Sequence, residues 1–177
     1  MNLWFRFVYV LITSLFRRAL GPLDESVHAF RVWPTDLDVN LHMNNGRYLT
    51  IMDLGRLDLI LRTGLGRIAL KRGWAPLVGS AVIRFRRSLD PFQRYQLKSR
   101  IVCWDEKWFF IEQRFERNGD LIALGMVKGL LRSRDGNIPT AEALRAVGAD
   151  TVSPEMPEPV RVWRQSETAS TDGPAPL

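Results

Sequence analysis

Cysteine and histidine are scarce. Cys103 is the single cysteine among 177 residues, and His28 and His42 are the two histidines. One cysteine excludes an internal disulfide framework and a cysteine-only zinc site, and two histidines leave little room for a metal cluster, so no metal is expected. Long apolar runs are also scarce. The run over residues 3–16 is interrupted by Arg6, Thr13 and Ser14, and it falls short of the ~20 residues that span a bilayer. Arg6 inside that run, and no small-x-small cleavage site behind it, argue against a secretory signal. No internal repeat is visible. Acidic residues number 19 against 25 Lys and Arg, for a net charge of +6. That balance suits an anionic partner such as a phosphate-bearing cofactor, a membrane surface or nucleic acid. The arginines are scattered without a recognisable readout motif, so nucleic acid is not expected.

Hydrophobic residues make up 46% of the chain and charged residues 25%, the composition of one globular domain with a core of its own. Three segments follow from composition: an apolar N-terminus over 1–20, a domain over 21–150 and a tail over 151–177. On a helix, Asn2, Arg6, Thr13 and Arg17 share a narrow stripe, while Trp4, Phe5, Phe7, Tyr9 and Phe16 belong to a broad apolar face. Such a helix suits a membrane interface, apolar face down and arginines up. A terminal helix that caps the core or a subunit contact fits the same pattern. The tail is rich in Ser, Pro, Glu, Thr, Gly and Ala and is expected to be flexible, with residues 160–163 as its one docking candidate.

Within the domain, residues 27–33 read as a first strand. Residues 45–65 read as a helix apolar almost all round, and therefore buried. Gly55 in its middle costs about 1 kcal/mol of helix propensity against alanine, so a close packing contact is expected there. Strand-like segments follow at 77–87, 95–105, 108–117 and 121–132, with Asn118-Gly119 as a strong hairpin turn. Pro139 and Thr140 start a short helix that stops at Gly148. A strand, a buried helix and a meander of four strands predict an α+β fold, one antiparallel sheet wrapped around one helix.

The chemistry is concentrated in residues 33–48, where two aspartates, three asparagines and a histidine crowd between the first strand and the buried helix. A helix N-terminus offers unpaired N–H groups and a positive dipole end, which stabilise developing negative charge. A carboxylate, a histidine and amides beside it make an acyl-transfer site. Asp36, Asn44 and Asn45 also suit caps and turns.

The run Asp-Leu-Asp-Val-Asn-Leu-His-Met-Asn-Asn-Gly-Arg-Tyr over residues 36–48 resembles the signature of hot-dog-fold thioesterases. It looks like the catalytic segment of plant acyl-ACP thioesterases and is similar to bacterial 4-hydroxybenzoyl-CoA-thioesterase-like proteins. The resemblance implies a single hot-dog unit that hydrolyses an acyl-CoA or acyl-ACP thioester. It makes Asp38 the catalytic carboxylate, accompanied by Asn40 and His42. Asn44 and Asn45 open the helix, and backbone N–H groups near Asn45 and Gly46 polarise the carbonyl. Asp53 falls where related enzymes carry a helix carboxylate, although Arg56 at i+3 also offers it an ordinary helix pair. CoA or ACP enters as part of the substrate and no separate cofactor is implied. A homodimer or tetramer is implied, with the site at a subunit interface. The expected location is the cytoplasm, or the inner membrane face if residues 1–20 touch lipid. An acyl-binding module without catalysis is the alternative. Arg84, Arg86 and Arg87 read as solvated edge charge or as a contact for CoA phosphates. Cys103 reads as a small buried hydrophobe.

Overall fold

Asn118 and Gly119 both adopt positive φ, 51° and 86°, and the turn they form pairs Arg117 with Asp120. This is the tight hairpin expected of Asn-Gly, and it lies at the centre of the sheet. The computed structural model describes residues 3–171. Asn2 and the tail beyond Thr171 lie outside the described residues. The strands are β1 (Ser26–Arg31), β2 (Ala75–Phe85), β3 (Arg94–Trp104), β4 (Phe109–Arg117), β5 (Asp120–Ser133) and β6 (Gly136–Ile138). The helices are α1 (Leu3–Phe16), α2 (Asn45–Arg62), α3 (Leu65–Arg72), α4 (Thr140–Ala146) and α5 (Glu158–Thr171). All pairings are antiparallel, in the order β1-β3-β4-β5-β2, with β6 on β5.

This order corrects the expected four-strand meander. β3, β4 and β5 form hairpins, but β2 lies on the far side of β5. Residues 88–93 therefore carry the chain across from one flank of the sheet to the other. Leu89 in this crossover is fully buried. Its carbonyl accepts the Met43 N–H at 2.9 Å, and Val32 exchanges backbone bonds with Gln93 and Phe92. The crossover is thus fastened to the segment that precedes α2. Gly64, at φ 80°, ends the long helix two residues after Arg62, and α3 follows separately, so the expected helix over 45–65 is shorter than read.

α2 lies against one face of the sheet, and Gly55 is where they meet. A Cβ on Gly55 would fall 2.5 Å from Ser99 Oγ and 2.6 Å from a Leu97 methyl. The close contact expected at this glycine is present. Beside it the fully buried Gln113 donates to Met52 O (2.9 Å) and Ser99 Oγ (2.8 Å) and accepts from Arg56 (2.7 Å). Gly55→Val is expected to lower stability by about 1–3 kcal/mol or more through overpacking, read as a lower urea midpoint.

A second polar knot ties α1, α2 and β1 together. Asp58 is fully buried and accepts from Ser14 (2.6 Å), Ser26 and Arg62 (3.1 Å), with His28 Nε2 at 2.9 Å. Burial alone would raise the Asp58 carboxyl, but the hydrogen bonds from His28, Ser14 and Ser26 outweigh it and hold it below the usual carboxylate range. A depressed folded pKa gives stability that is complete above the unfolded value, about 3.9, and is lost as pH falls below it. Asp58→Asn is therefore expected to be less stable than wild type at neutral pH and to lose less stability on acidification below about pH 4. Denaturant titrations at several pH values measure both effects.

α5 corrects the expected flexible tail. It rests on part of the sheet face opposite α2 through the expected docking candidate at residues 160–163, with Val160 fully buried beside Phe110 and Cys103. Trp163 meets Phe110 edge-on at 6.3 Å, and Lys128 reaches Glu167 at 2.5 Å. The apolar patch beneath it is small, with Trp108, Met126 and Met156 packed around Cys103, Phe110 and Val160. Cys103 is fully buried, and burial pushes its thiol up to about 11.

α1 is the expected N-terminal helix, and its two sides are now placed. Arg6 and Ser14 are buried together with Val10, so the polar stripe faces the protein and the apolar face is turned outward. No helix among the described residues is long and apolar enough to cross a membrane.

Candidate active site

The residues before α2 are shaped by two aspartates with different tasks. Asp36 is 1% exposed, and its carboxylate receives Arg6 of α1 at 3.1 and 2.5 Å. It also accepts the Trp33 N–H (2.9 Å) and lies 3.7 Å from Arg47 in the first turn of α2. Its carbonyl accepts the Asn44 N–H at 2.8 Å. Asp36 therefore locks α1, the loop and the start of α2 into one arrangement.

Asp38 is half-buried, two residues further on. Its Oδ1 accepts the N–H of Asn40 (2.8 Å) and of His42 (3.3 Å), an Asx turn closed by the Asp38 N–H donating to His42 O at 2.9 Å. The turn forces Leu41 to φ 59°, a costly conformation for a leucine. One Asp38 oxygen thus builds the turn, and the carboxylate is held at a fixed place just ahead of the helix. Asn40 and His42 are exposed on the same turn, and His42 Nε2 lies 3.5 Å from Asp90 in the crossover.

Asn44 caps α2 by accepting the Gly46 N–H at 2.8 Å. This cap already occupies one of the two N–H groups expected to face the carbonyl. The other belongs to Asn45, the first residue of the helix, ahead of the intrahelical bonds. Asp38, Asn40, His42, Asn45 and Gly46 are together at one end of α2. Asp53 is not with them: nine residues past the cap, it lies about 13 Å along the helix axis. It forms the expected i+3 pair with Arg56.

Asp53 and Arg56 instead border a cavity of about 340 Å³ between α2 and the sheet. Leu57 and Ile60 of α2, Ile101 of β3, Leu130 of β5 and Leu144 of α4 contribute apolar wall, and Phe7 of α1 closes one side. A volume of that size is at the lower end of small-molecule pockets. Burial lowers the Arg56 guanidinium pKa, and the Asp53 charge opposes that shift.

Sequence reasoning missed Arg6, Asp90 and this cavity. An arginine alone in an apolar helix was a signal for the first. Asp90 depends on the crossover path, and the cavity arises from elements far apart in the chain. Of the basic run, Arg87 pairs with Asp120 at 2.6 Å with both side chains exposed, as solvated edge charge does. Among the described residues, no group of three or more His, Cys, Asp or Glu is placed to hold a metal ion.

A family model described as the thioesterase-like superfamily matches residues 32–163. Protein THEM6 of Xenopus laevis is 34% identical over 152 residues, 84% of this chain and 72% of its own length. A probable thioesterase of Saccharomyces cerevisiae, YBR096W, is 29% identical over 65% of this chain and 51% of its own. Among solved structures, the probable thioesterase YbaW of Escherichia coli superposes with a TM-score of 0.63 at 19% identity, over 68% of this chain and 97% of that one. The sheet curled about a helix is the fold these structures share.

Proposed function

This chain belongs to the thioesterase-like superfamily, and from that premise we propose that it hydrolyses an acyl-CoA or acyl-ACP thioester to a carboxylic acid and a thiol. The observation that carries this reading is the Asp38 carboxylate, fixed by its own turn immediately ahead of the α2 N-terminus. Binding an acyl chain requires no carboxylate in that position, whereas hydrolysis does.

Two routes use the same geometry. As general base, Asp38 takes a proton from water while the water oxygen attacks the thioester carbon. The Asn45 N–H and the helix dipole stabilise the oxyanion. Collapse breaks the C–S bond and the thiolate takes up a proton. As nucleophile, Asp38 displaces the thiolate and forms a mixed anhydride that water then hydrolyses. His42 orients the water or protonates the departing thiolate, and Asn40 holds the water or the carboxylate. Neither route uses a separate cofactor.

The acyl chain occupies the apolar cavity beside Asp53. Within one chain that cavity and Asp38 lie along different parts of α2, so we assign the complete site to a homodimer. The β2 edge suits that contact: it pairs with β5 on one side, and Leu77, Val78, Val82 and Phe85 along it are 39–51% exposed.

Free-thiol release from short, long and aromatic acyl-CoAs and from an acyl-ACP tests the reading. Turnover on at least one substrate is expected and also gives the chain length. Saturable acyl-CoA binding with no turnover on any substrate would favour the acyl-binding module.

A further inference from the structure

α1 is inverted for a helix that faces water. Arg6 is its one charged residue and is 1% exposed, and the buried positions Arg6, Val10 and Ser14 follow at four-residue spacing. Facing out are Trp4 (65%), Phe5 (64%), Tyr9, Ile12, Leu15 (70%) and Phe16 (86%). Isolated exposed apolar residues are ordinary, but six on one face of one helix mark a contact surface.

We propose that α1 lies flat in the surface of an anionic lipid bilayer and presents the cavity to long acyl chains held there. Four features favour lipid over other occupants. The helix is about 21 Å long and cannot span a bilayer, while an outward indole and phenol suit the interface. Arg18 follows the apolar face, its side chain is 82% exposed, and its contact with Asp24 is a loose 3.5 Å. With the chain's net charge of +6, this favours anionic headgroups over neutral ones. The β2 edge already offers a second copy its own surface. Finally, Phe7 on the inward side of α1 and the neighbouring Pro22 border the acyl cavity, so a bilayer under α1 would lie one helix diameter, ~10 Å, from it. The polar side of the helix is held by the protein, through Arg6 to Asp36 and Ser14 to Asp58, so the apolar face stays outward. The docking stands on α1 alone. The long-chain preference rests on the thioesterase reading.

The test compares the full chain with Phe5→Ser/Ile12→Ser/Phe16→Ser, three exposed positions outside the cavity and the Asp38 turn. Flotation uses phosphatidylcholine vesicles with and without phosphatidylglycerol. Wild type is expected to float with the anionic vesicles and to be released by salt, and the variant's partitioning to fall at least about tenfold. Its thermal melt and its turnover of a short soluble acyl-CoA are expected to match wild type. Its turnover of palmitoyl-CoA presented on vesicles is expected to fall at least about tenfold, in line with the lost binding. Wild type remaining unbound in both vesicle types, or a variant that floats equally well, overturns the docking. A variant that changes from dimer to monomer in sedimentation places a second copy on α1 and overturns it as well. Flotation of wild type with no thioester turned over supports the docking and overturns the thioesterase reading. Equal palmitoyl-CoA turnover by both proteins overturns the long-chain preference.

Discussion

Asp38→Asn is expected to reduce kcat/KM for the best acyl-CoA at least about a hundredfold, the scale of losing a positioned acid or base. The geometry makes this substitution a clean probe. The turn needs only an acceptor at Oδ1 for the N–H groups of Asn40 and His42, and an asparagine carbonyl provides one. The loop should therefore keep its shape, and the thermal melt should change little, while the charge that takes the proton or forms the anhydride is gone. His42→Ala and Asn40→Ala are expected to cost less, because both side chains are exposed on the turn rather than central to it. Free-thiol assays on all three variants give the ranking. Full activity in Asp38→Asn would place the chemistry elsewhere, with Asp53 at the cavity rim the first candidate.

Arg6→Ala is expected to have the largest effect on stability, about 3–5 kcal/mol, the cost of leaving one partner of a buried ion pair without the other. Both side chains are 1% exposed, so water cannot replace the lost guanidinium. Asp36 would lose its strongest partner while still receiving the Trp33 N–H. The damage should extend to activity, because Asp36 lies two residues before Asp38 and its carbonyl holds the Asn44 cap. Arg6→Met/Asp36→Leu is expected to be more stable than Arg6→Ala, since it buries no unpaired charge. Urea denaturation of the three proteins measures these differences, and a loss below about 1 kcal/mol in Arg6→Ala would mean that the pair contributes no more than a surface contact.

Where local pattern determines structure, the sequence is readable. Helix α2 follows from its apolar spacing, and β3 to β5 follow from alternation and from Asn118-Gly119. Asp38 was legible as a carboxylate ahead of the helix through the resemblance carried by residues 36–48, while the turn it builds with Asn40 and His42 was not. Three features depend on distant partners and were not legible. β2 reads as a strand without indicating its neighbour, and the crossover over residues 88–93 decides on which flank of the sheet it pairs. The polar stripe of α1 looks alike whether it faces solvent or protein, and Asp36, thirty residues away, turns it inward. Residues 160–163 were legible as a docking candidate, but the helix around them was not, nor were its partners Phe110 and Cys103 on the sheet. Asp53 was legible as a helix carboxylate, but its separation from Asp38 follows from helix rise and from the end of α2 on which the turn sits.

The place of α5 also bears on how protomers can be joined. A curved sheet has two broad faces and two edges through which copies can associate. In this chain α2 occupies one broad face, and α5 rests on part of the other, over Phe110 and Cys103. Stacking two sheets through that part would first require lifting Trp163 off Phe110 and exposing Val160, both of which stabilise the monomer. In the sheet itself the β1 and β2 strands are each paired on one side only, and the homodimer proposed through the β2 edge would leave α5 seated where it is.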